Sequence, residues 1–251
     1  MTDSRAAGAA AGDDGAGAAG AAGAFTTRAW RRAAPIRAAI DELALVRGLG
    51  DGTLSEDRFN YYMTQDALYL VEYGRVLAGV ASLSGEPDEF AFWCDCAKQA
   101  LVAERELHAA HVDLMSGATA SPTCRAYTDF LHAGVALGSY GAAVATVLPC
   151  FWIYQDVGAG LLARAGDLSG HPYGDWISTY ADPAFEQSTA RARGVADRLA
   201  AAAGDDERGR MHEAFATACR YEWMFWDAAW RMEDWPLVRS EERRVGKECR
   251  S

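Results

Sequence analysis

Four side chains, Tyr62, Asp66, Tyr69 and Tyr73, follow one another at intervals of four, three and four residues, a spacing that lines them along one face of an α-helix. A carboxylate inside an aromatic stripe has two readings. One is a tyrosine-rich core seam in which hydroxyl donors satisfy Asp66. The other is a pocket wall, where tyrosines stack on a flat heterocycle and the carboxylate accepts hydrogen bonds from an exocyclic amine. Further on, Leu148-Pro149-Cys150-Phe151-Trp152-Ile153-Tyr154 sets a proline in the most apolar part of the chain, where it removes one backbone hydrogen bond and kinks a helix. Cys150 follows the kink directly. Free cysteine is among the most buried residue types, so a structural thiol is the ordinary reading, and no partner base is legible beside it. In Tyr221-Glu222-Trp223-Met224-Phe225-Trp226 an acid stands one turn before Phe225 and Trp226. Desolvation there would raise its pKa toward the range useful for proton transfer; a surface glutamate beside a core stripe is the plainer arrangement.

Other chemistry is weakly signalled. Glu104, His108 and His111 could begin a helical carboxylate–imidazole metal site, but no second Glu-x-x-His completes a dinuclear set, and a solvated helix face is the plainer reading. His132, His171 and His212 support no triad by local spacing, and no G-x-S-x-G is present. Gly48-Leu49-Gly50-Asp51-Gly52 lacks the lysine and preceding strand of a phosphate loop. Cys94 and Cys96 are two apart and point to different helix faces, so neither a disulfide framework nor a zinc pair emerges.

The elements that must position these residues are helical. Strand alternation is absent, and a helical period recurs at about 27–47, 54–84, 88–116, 123–138, 141–166, 172–181, 184–203 and 206–231, which predicts an all-α bundle. The glycine-rich turn at 48–52 should end the first helix, and Thr53 to Glu56 has the spacing of a capping box. Phe130 to Gln155 carries no charge, long enough to consider a membrane span, but Gly138-Ser139-Tyr140-Gly141 divides it into two helices of a soluble core. Residues 1–24 hold 11 Ala and 6 Gly, the composition of a disordered tail without the basic start and apolar middle of a secretory signal, so a cytoplasmic location is expected. Residues 239–251, RSEERRVGKECRS, resemble the translation of a sequencing-adapter oligonucleotide and are set aside as a scar. One domain over 25–238 remains. Of 251 residues half are apolar, and the net charge of −11 becomes −13 without the scar, with no basic cluster, which argues against nucleic acid or an anionic membrane as partner. A small neutral or cationic molecule fits better.

Five ordered segments together resemble the TenA family, the thiaminase II or aminopyrimidine aminohydrolases, over about residues 30–235. They are Gly48-Leu49-Gly50-Asp51-Gly52-Thr53-Leu54; Tyr61-Tyr62-Met63-Thr64-Gln65-Asp66 with Tyr69-Leu70; Leu148 to Tyr154; Trp176-Ile177-Ser178-Thr179-Tyr180; and Tyr221-Glu222 with Phe225-Trp226. The resemblance implies a helical bundle of the haem oxygenase-like fold, a homotetramer, no metal and no organic cofactor. It implies hydrolysis of thiamine, or of 4-amino-5-aminomethyl-2-methylpyrimidine, to the hydroxymethylpyrimidine for thiamine salvage. By the same resemblance Cys150 is the nucleophile that adds to the pyrimidine ring. Asp66 holds the ring's amino group and neighbouring nitrogen, and Glu222 exchanges a proton with the opposite ring nitrogen. Tyr69, Tyr127, Tyr154 and Tyr180 match pocket tyrosines, Tyr127 being placed by Ser121-Pro122-Thr123 ahead of it. A cysteine in this motif points to the cysteine-using branch. The chain departs from many relatives at Leu43-Ala44-Leu45, where they carry His-Pro-Phe, which bears on the local helix start. The competing readings are a non-catalytic pyrimidine binder, a haem- or metal-dependent member of the same fold using His108 and His111, and a regulatory protein, for which no DNA-reading module is visible.

Overall fold

The helical period in the sequence is realised throughout. The computed structural model describes residues 23–111 and 118–236, apart from the side chains of 103–111, and among these residues there are nine α-helices and no strand. They are α1 (Phe25–Asp41), α2 (Ala44–Asp51), α3 (Glu56–Leu83), α4 (Pro87–His111), α5 (Pro122–Leu137), α6 (Tyr140–Ala165), α7 (Gly174–Tyr180), α8 (Pro183–Ala202) and α9 (Asp205–Arg231). Residues 1–22, the 239–251 segment and the side chains of Glu104, His108 and His111 lie outside the described residues.

The uncharged stretch divides where glycine and serine divide it. Ser139 caps α6 by accepting the Ala142 amide on its hydroxyl at 3.2 Å. Every residue from Gly141 to Tyr154 is buried, which suits a helix apolar on all faces. α6 is the axle of the bundle, with α2, α3, α5, α7, α8 and α9 packed around it, while α4 lies along α3. No described helix is long and apolar enough to cross a membrane. Trp93, Trp176, Trp226 and Tyr62 are wholly buried in the same core.

Two local expectations are corrected. The 27–47 segment is two helices: α1 stops at Asp41 and α2 starts at Ala44, with Leu43 at its N-cap making no side-chain cap bond. The glycine-rich motif is therefore mostly helix, and only Gly52, at φ 75°, takes the left-handed conformation that ends α2. Nor does the capping box form. Both the amide and the hydroxyl of Thr53 turn back onto Asp51 Oδ1, at 3.0 and 2.5 Å, and Ser55 occupies the N-cap of α3 without a side-chain bond. A local acceptor two residues away out-competes Glu56.

Gly158 fixes the relation of α6 to α7. A Cβ there would lie 2.7 Å from both the carbonyl carbon and the Cβ of Tyr180, and 3.0 Å from the Ala181 nitrogen. Two of those atoms are backbone and cannot rotate away, so only glycine lets α7 approach this closely. Gly158→Ala is expected to lower stability by about 1–3 kcal/mol through overpacking. Chemical denaturation with unchanged m-value would show it as a lowered midpoint; an unchanged midpoint would mean α7 withdraws freely.

Candidate active site

Five helices converge on one place. α3 brings Asp66, Tyr69 and Tyr73, α5 brings Tyr127, α6 brings Cys150 and Tyr154, α7 brings Tyr180, and α9 brings Glu222. All are buried, with Asp66 and Glu222 at 1% exposure each. A cavity of about 490 Å³ opens among them, within the size range of small-molecule sites. Asp66, Tyr73, Cys150, Tyr154 and Tyr180 lie on its wall. Tyr69, Tyr127 and Glu222 are not on the wall but form a layer in electrostatic contact with the Cys150 thiol. The tyrosine stripe is thus both things at once: Tyr62 is core, and Asp66 faces the pocket.

The buried layer is organised around one short hydrogen bond, from the Tyr127 hydroxyl to Glu222 Oε1 at 2.6 Å. Burial pushes the Glu222 carboxyl up to about 8; the Tyr127 bond opposes this and the Asp66 charge adds to it. Glu222 is therefore largely protonated at neutral pH. The Cys150 thiol is raised well above its ordinary range, first by burial and then by the Glu222 charge, with Asp66 acting in the same direction. The hydroxyls of Tyr69 and Tyr73 pull it down. The Tyr73 hydroxyl donates a hydrogen bond to the Val147 carbonyl at 2.8 Å. The Tyr69 hydroxyl is buried beside the thiol and makes no hydrogen bond of ordinary geometry.

Indoles and an amide hold this arrangement. Trp226 Nε1 donates to the Tyr154 hydroxyl at 3.1 Å, Tyr62 donates to the same oxygen at 3.3 Å, and Trp176 Nε1 donates to Tyr62 at 3.3 Å. Gln65 Nε2 donates to the Thr119 carbonyl at 3.1 Å, while its Oε1 accepts the Ser121 amide at 2.8 Å, tying α3 to the start of α5. Glu233, just beyond α9, accepts the Thr123 amide at 2.8 Å. α9 and α5 are thus joined twice, at Glu222–Tyr127 and at Glu233–Thr123.

Sequence reasoning missed Gln65 and Glu233, which make the second and third ties to α5. It also missed the outer cavity residues Cys96, Gln99, Asp182, Phe185 and Ser188. Gln65 stands inside the Tyr61–Asp66 motif and could have been flagged by position; Glu233 lies just beyond α9, and the cavity residues come from α4, Asp182 before α8 and α8 itself, where no motif marks them. Cys94 is exposed and Cys96 buried, as their spacing requires. Among the described residues no cluster of three or more His, Cys, Asp or Glu is placed to hold a metal ion.

The TENA/THI-4/PQQC family model matches residues 30–232. Among curated proteins, the ThiED thiamine biosynthesis multifunctional protein of Corynebacterium glutamicum is 36% identical over 87% of this chain, which covers 28% of that protein. The aminopyrimidine aminohydrolase of Bacillus subtilis is 33% identical over 76% of this chain and 83% of its own length. The chain spans less than a third of the length of the Corynebacterium relatives it matches. Among solved structures, a TenA homologue from P. horikoshii superposes with a TM-score of 0.73 at 27% identity, covering 83% of this chain and 99% of that one. A Shewanella denitrificans domain with a heme oxygenase-like fold superposes with a TM-score of 0.67 at 12% identity, covering 82% of this chain and 92% of that one, and shares the fold.

Because the folded state holds the Glu222 proton up to about pH 8 and an unfolded glutamate releases it near 4.5, this group makes stability fall as pH rises between those values and level off above 8. The loss is at most about 3–5 kcal/mol. Glu222→Gln, neutral at all pH, is expected to match the wild type near pH 4.5 and to exceed it increasingly up to pH 8. Urea denaturation of both proteins across pH 4.5–9 checks this; parallel curves would place Glu222 in a solvated environment.

Proposed function

Since this chain belongs to the TENA/THI-4/PQQC family, we propose that it is a thiaminase II-type aminopyrimidine aminohydrolase acting in thiamine salvage. Its substrate is 4-amino-5-aminomethyl-2-methylpyrimidine or thiamine, and its product is 4-amino-5-hydroxymethyl-2-methylpyrimidine. The observation that carries the proposal is the convergence of Cys150 and Asp66 on the wall of one aromatic cavity, with a Glu222 that holds a proton at neutral pH in the layer behind them. The likeness to the Bacillus subtilis enzyme supports it.

In this reading Asp66 receives the ring's amino group and the adjoining nitrogen, and Tyr154 and Tyr180 frame the ring. Glu222 gives its proton to the opposite ring nitrogen, which makes the ring electrophilic. Glu222 stands behind the cavity wall with Tyr69 and Tyr127, so in this reading that layer shifts to bring the acid and the ring nitrogen together. The Cys150 sulfur then forms a bond to a ring carbon, and its thiol proton passes to the departing nitrogen. The exocyclic C–N bond breaks, releasing ammonia and leaving an exocyclic methylene. Water adds to that carbon and returns a proton to Glu222. Finally the C–S bond breaks as the ring nitrogen's proton goes back to sulfur. With thiamine the leaving group is a neutral thiazole, and the thiol proton is released to solvent instead. The enzyme works as a cytoplasmic homotetramer without metal or organic cofactor.

A non-catalytic pyrimidine binder is the second reading, and one observation favours it: burial pushes the Cys150 thiol well above its ordinary range, toward the protonated, weakly nucleophilic form. Steady-state hydrolysis of the aminopyrimidine and of thiamine separates the two. Wild type is expected to turn over at least one, and Cys150→Ser to lose about 10³-fold or more in kcat. The kcat/KM of the wild type should fall as pH rises through about 8, because Glu222 must be protonated to act. Tyr127→Phe should move that limb to higher pH, since it removes the bond that opposes the raised pKa. A folded wild type that binds the pyrimidine and turns over neither compound would establish the binder.

A further inference from the structure

The cavity is graded from a buried floor to an exposed mouth. Asp66, Cys150, Tyr154 and Tyr180 on the floor are buried, whereas Gln99 on α4, Asp182 before α8 and Ala184 on α8 are exposed. Its 490 Å³ exceeds what a single substituted six-membered ring fills, so part of the volume lies beyond the ring seat. Among the described lining residues there are two carboxylates, Asp66 and Asp182, and no Lys, Arg or His. At the mouth, the hydroxyl of Thr179 donates to the Asp175 carbonyl at 2.9 Å and that of Ser188 to the Ala184 carbonyl at 3.0 Å, so each satisfies its own helix. Asp182 differs. Its Oδ1 caps α8 by accepting the Ala184 amide at 2.7 Å, and among the described residues no cation forms an ion pair with it.

We propose that Asp182 is a specificity-determining residue, its charge selecting substrates that carry a cationic second ring beyond the pyrimidine, as thiamine carries its thiazolium. This rests on the hydrolase reading above for the seat of the first ring. The geometry sets the discrimination. A permanent cation on a second ring reaches from the floor toward the mouth, where the Asp182 charge stands. A compound that ends at the substituent of the first ring stays near Asp66. Because Asp182 is exposed, its attraction is moderate and screened by salt.

Asparagine and serine both cap helices well, so Asp182→Asn and Asp182→Ser remove the charge and leave the start of α8 intact. Each is placed on a Cys150→Ser background to prevent turnover, and the affinities for thiamine and for uncharged 4-amino-5-hydroxymethyl-2-methylpyrimidine are measured by calorimetry at 50 mM and 500 mM NaCl. The expected result is a loss of about two- to fivefold in thiamine affinity at low salt, shrinking at high salt, with the hydroxymethylpyrimidine unaffected. Equal weakening of both ligands would show that Asp182 acts through the scaffold and would overturn the assignment. So would unchanged affinity for both, or no thiamine binding at all. Failure of the hydrolase reading shows separately, as absence of turnover of either compound by the wild type.

Discussion

The hydrogen bond from Tyr127 to Glu222 is the contact on which the interior is arranged. A carboxyl group deep among aromatic rings loses its hydration, and a phenol at 2.6 Å supplies a single partner that steadies it without neutralising it. The consequence is a side chain that holds a proton at neutral pH and still has one within reach to give away. Holding the phenol in place requires α5 to keep its register against α9. The Glu233–Thr123 bond, one turn nearer the start of α5, and the Gln65 clamp from α3 do that. A slip of either helix would strand a buried acid, a far larger penalty than any one of these bonds is worth.

The surrounding tyrosines and tryptophans serve packing and polarity together. Tyr62 and Tyr154 bury their rings in the bundle, and their hydroxyls are met by indole N–H groups of Trp176 and Trp226. Phenylalanines would fill similar space yet leave two indole protons without acceptors. Cys150 lies where this polar layer meets the cavity, directly after the proline in the most apolar helix. Burial first, and then the Glu222 and Asp66 charges, push its thiol well above the ordinary range, which disfavours the thiolate.

Much of this was legible in the chain. Among the described residues the 3.6-residue period marked the helices to within a few residues except at 27–47, where it ran α1 and α2 together, and the four-three-four spacing around Asp66 put that carboxylate on the helix face that reaches the pocket. The proline flagged Cys150, and the aromatic run around Glu222 raised the question of a buried acid. Periodicity could not answer that question, because the same spacing serves a surface glutamate; only the placement of Tyr127, ninety-five residues away in sequence, decides it. The turn at Gly48–Gly52 was misread for a related reason. Glycine commonly ends helices, but the Gly48 Cα faces Leu54, whose amide bonds back to the Gly48 carbonyl at 2.9 Å, so there it serves close approach within a helix. The cavity mouth left no trace, since its residues look like any helix surface.

The contact of Gly158 with the backbone of Tyr180 ties the width of the pocket to a single missing methyl group. Any side chain at 158 would push α7 outward, and Tyr180 on the cavity wall would move with it. Because two of the three atoms that a Cβ at 158 would meet are backbone, shrinking the side chain at 180 makes no room for one at 158; only withdrawal of the whole helix does. For a protein engineer position 158 alone is the dial, since the spacing of α6 and α7, and with it the width of the chamber at Tyr180, is set there and at no residue of the wall itself.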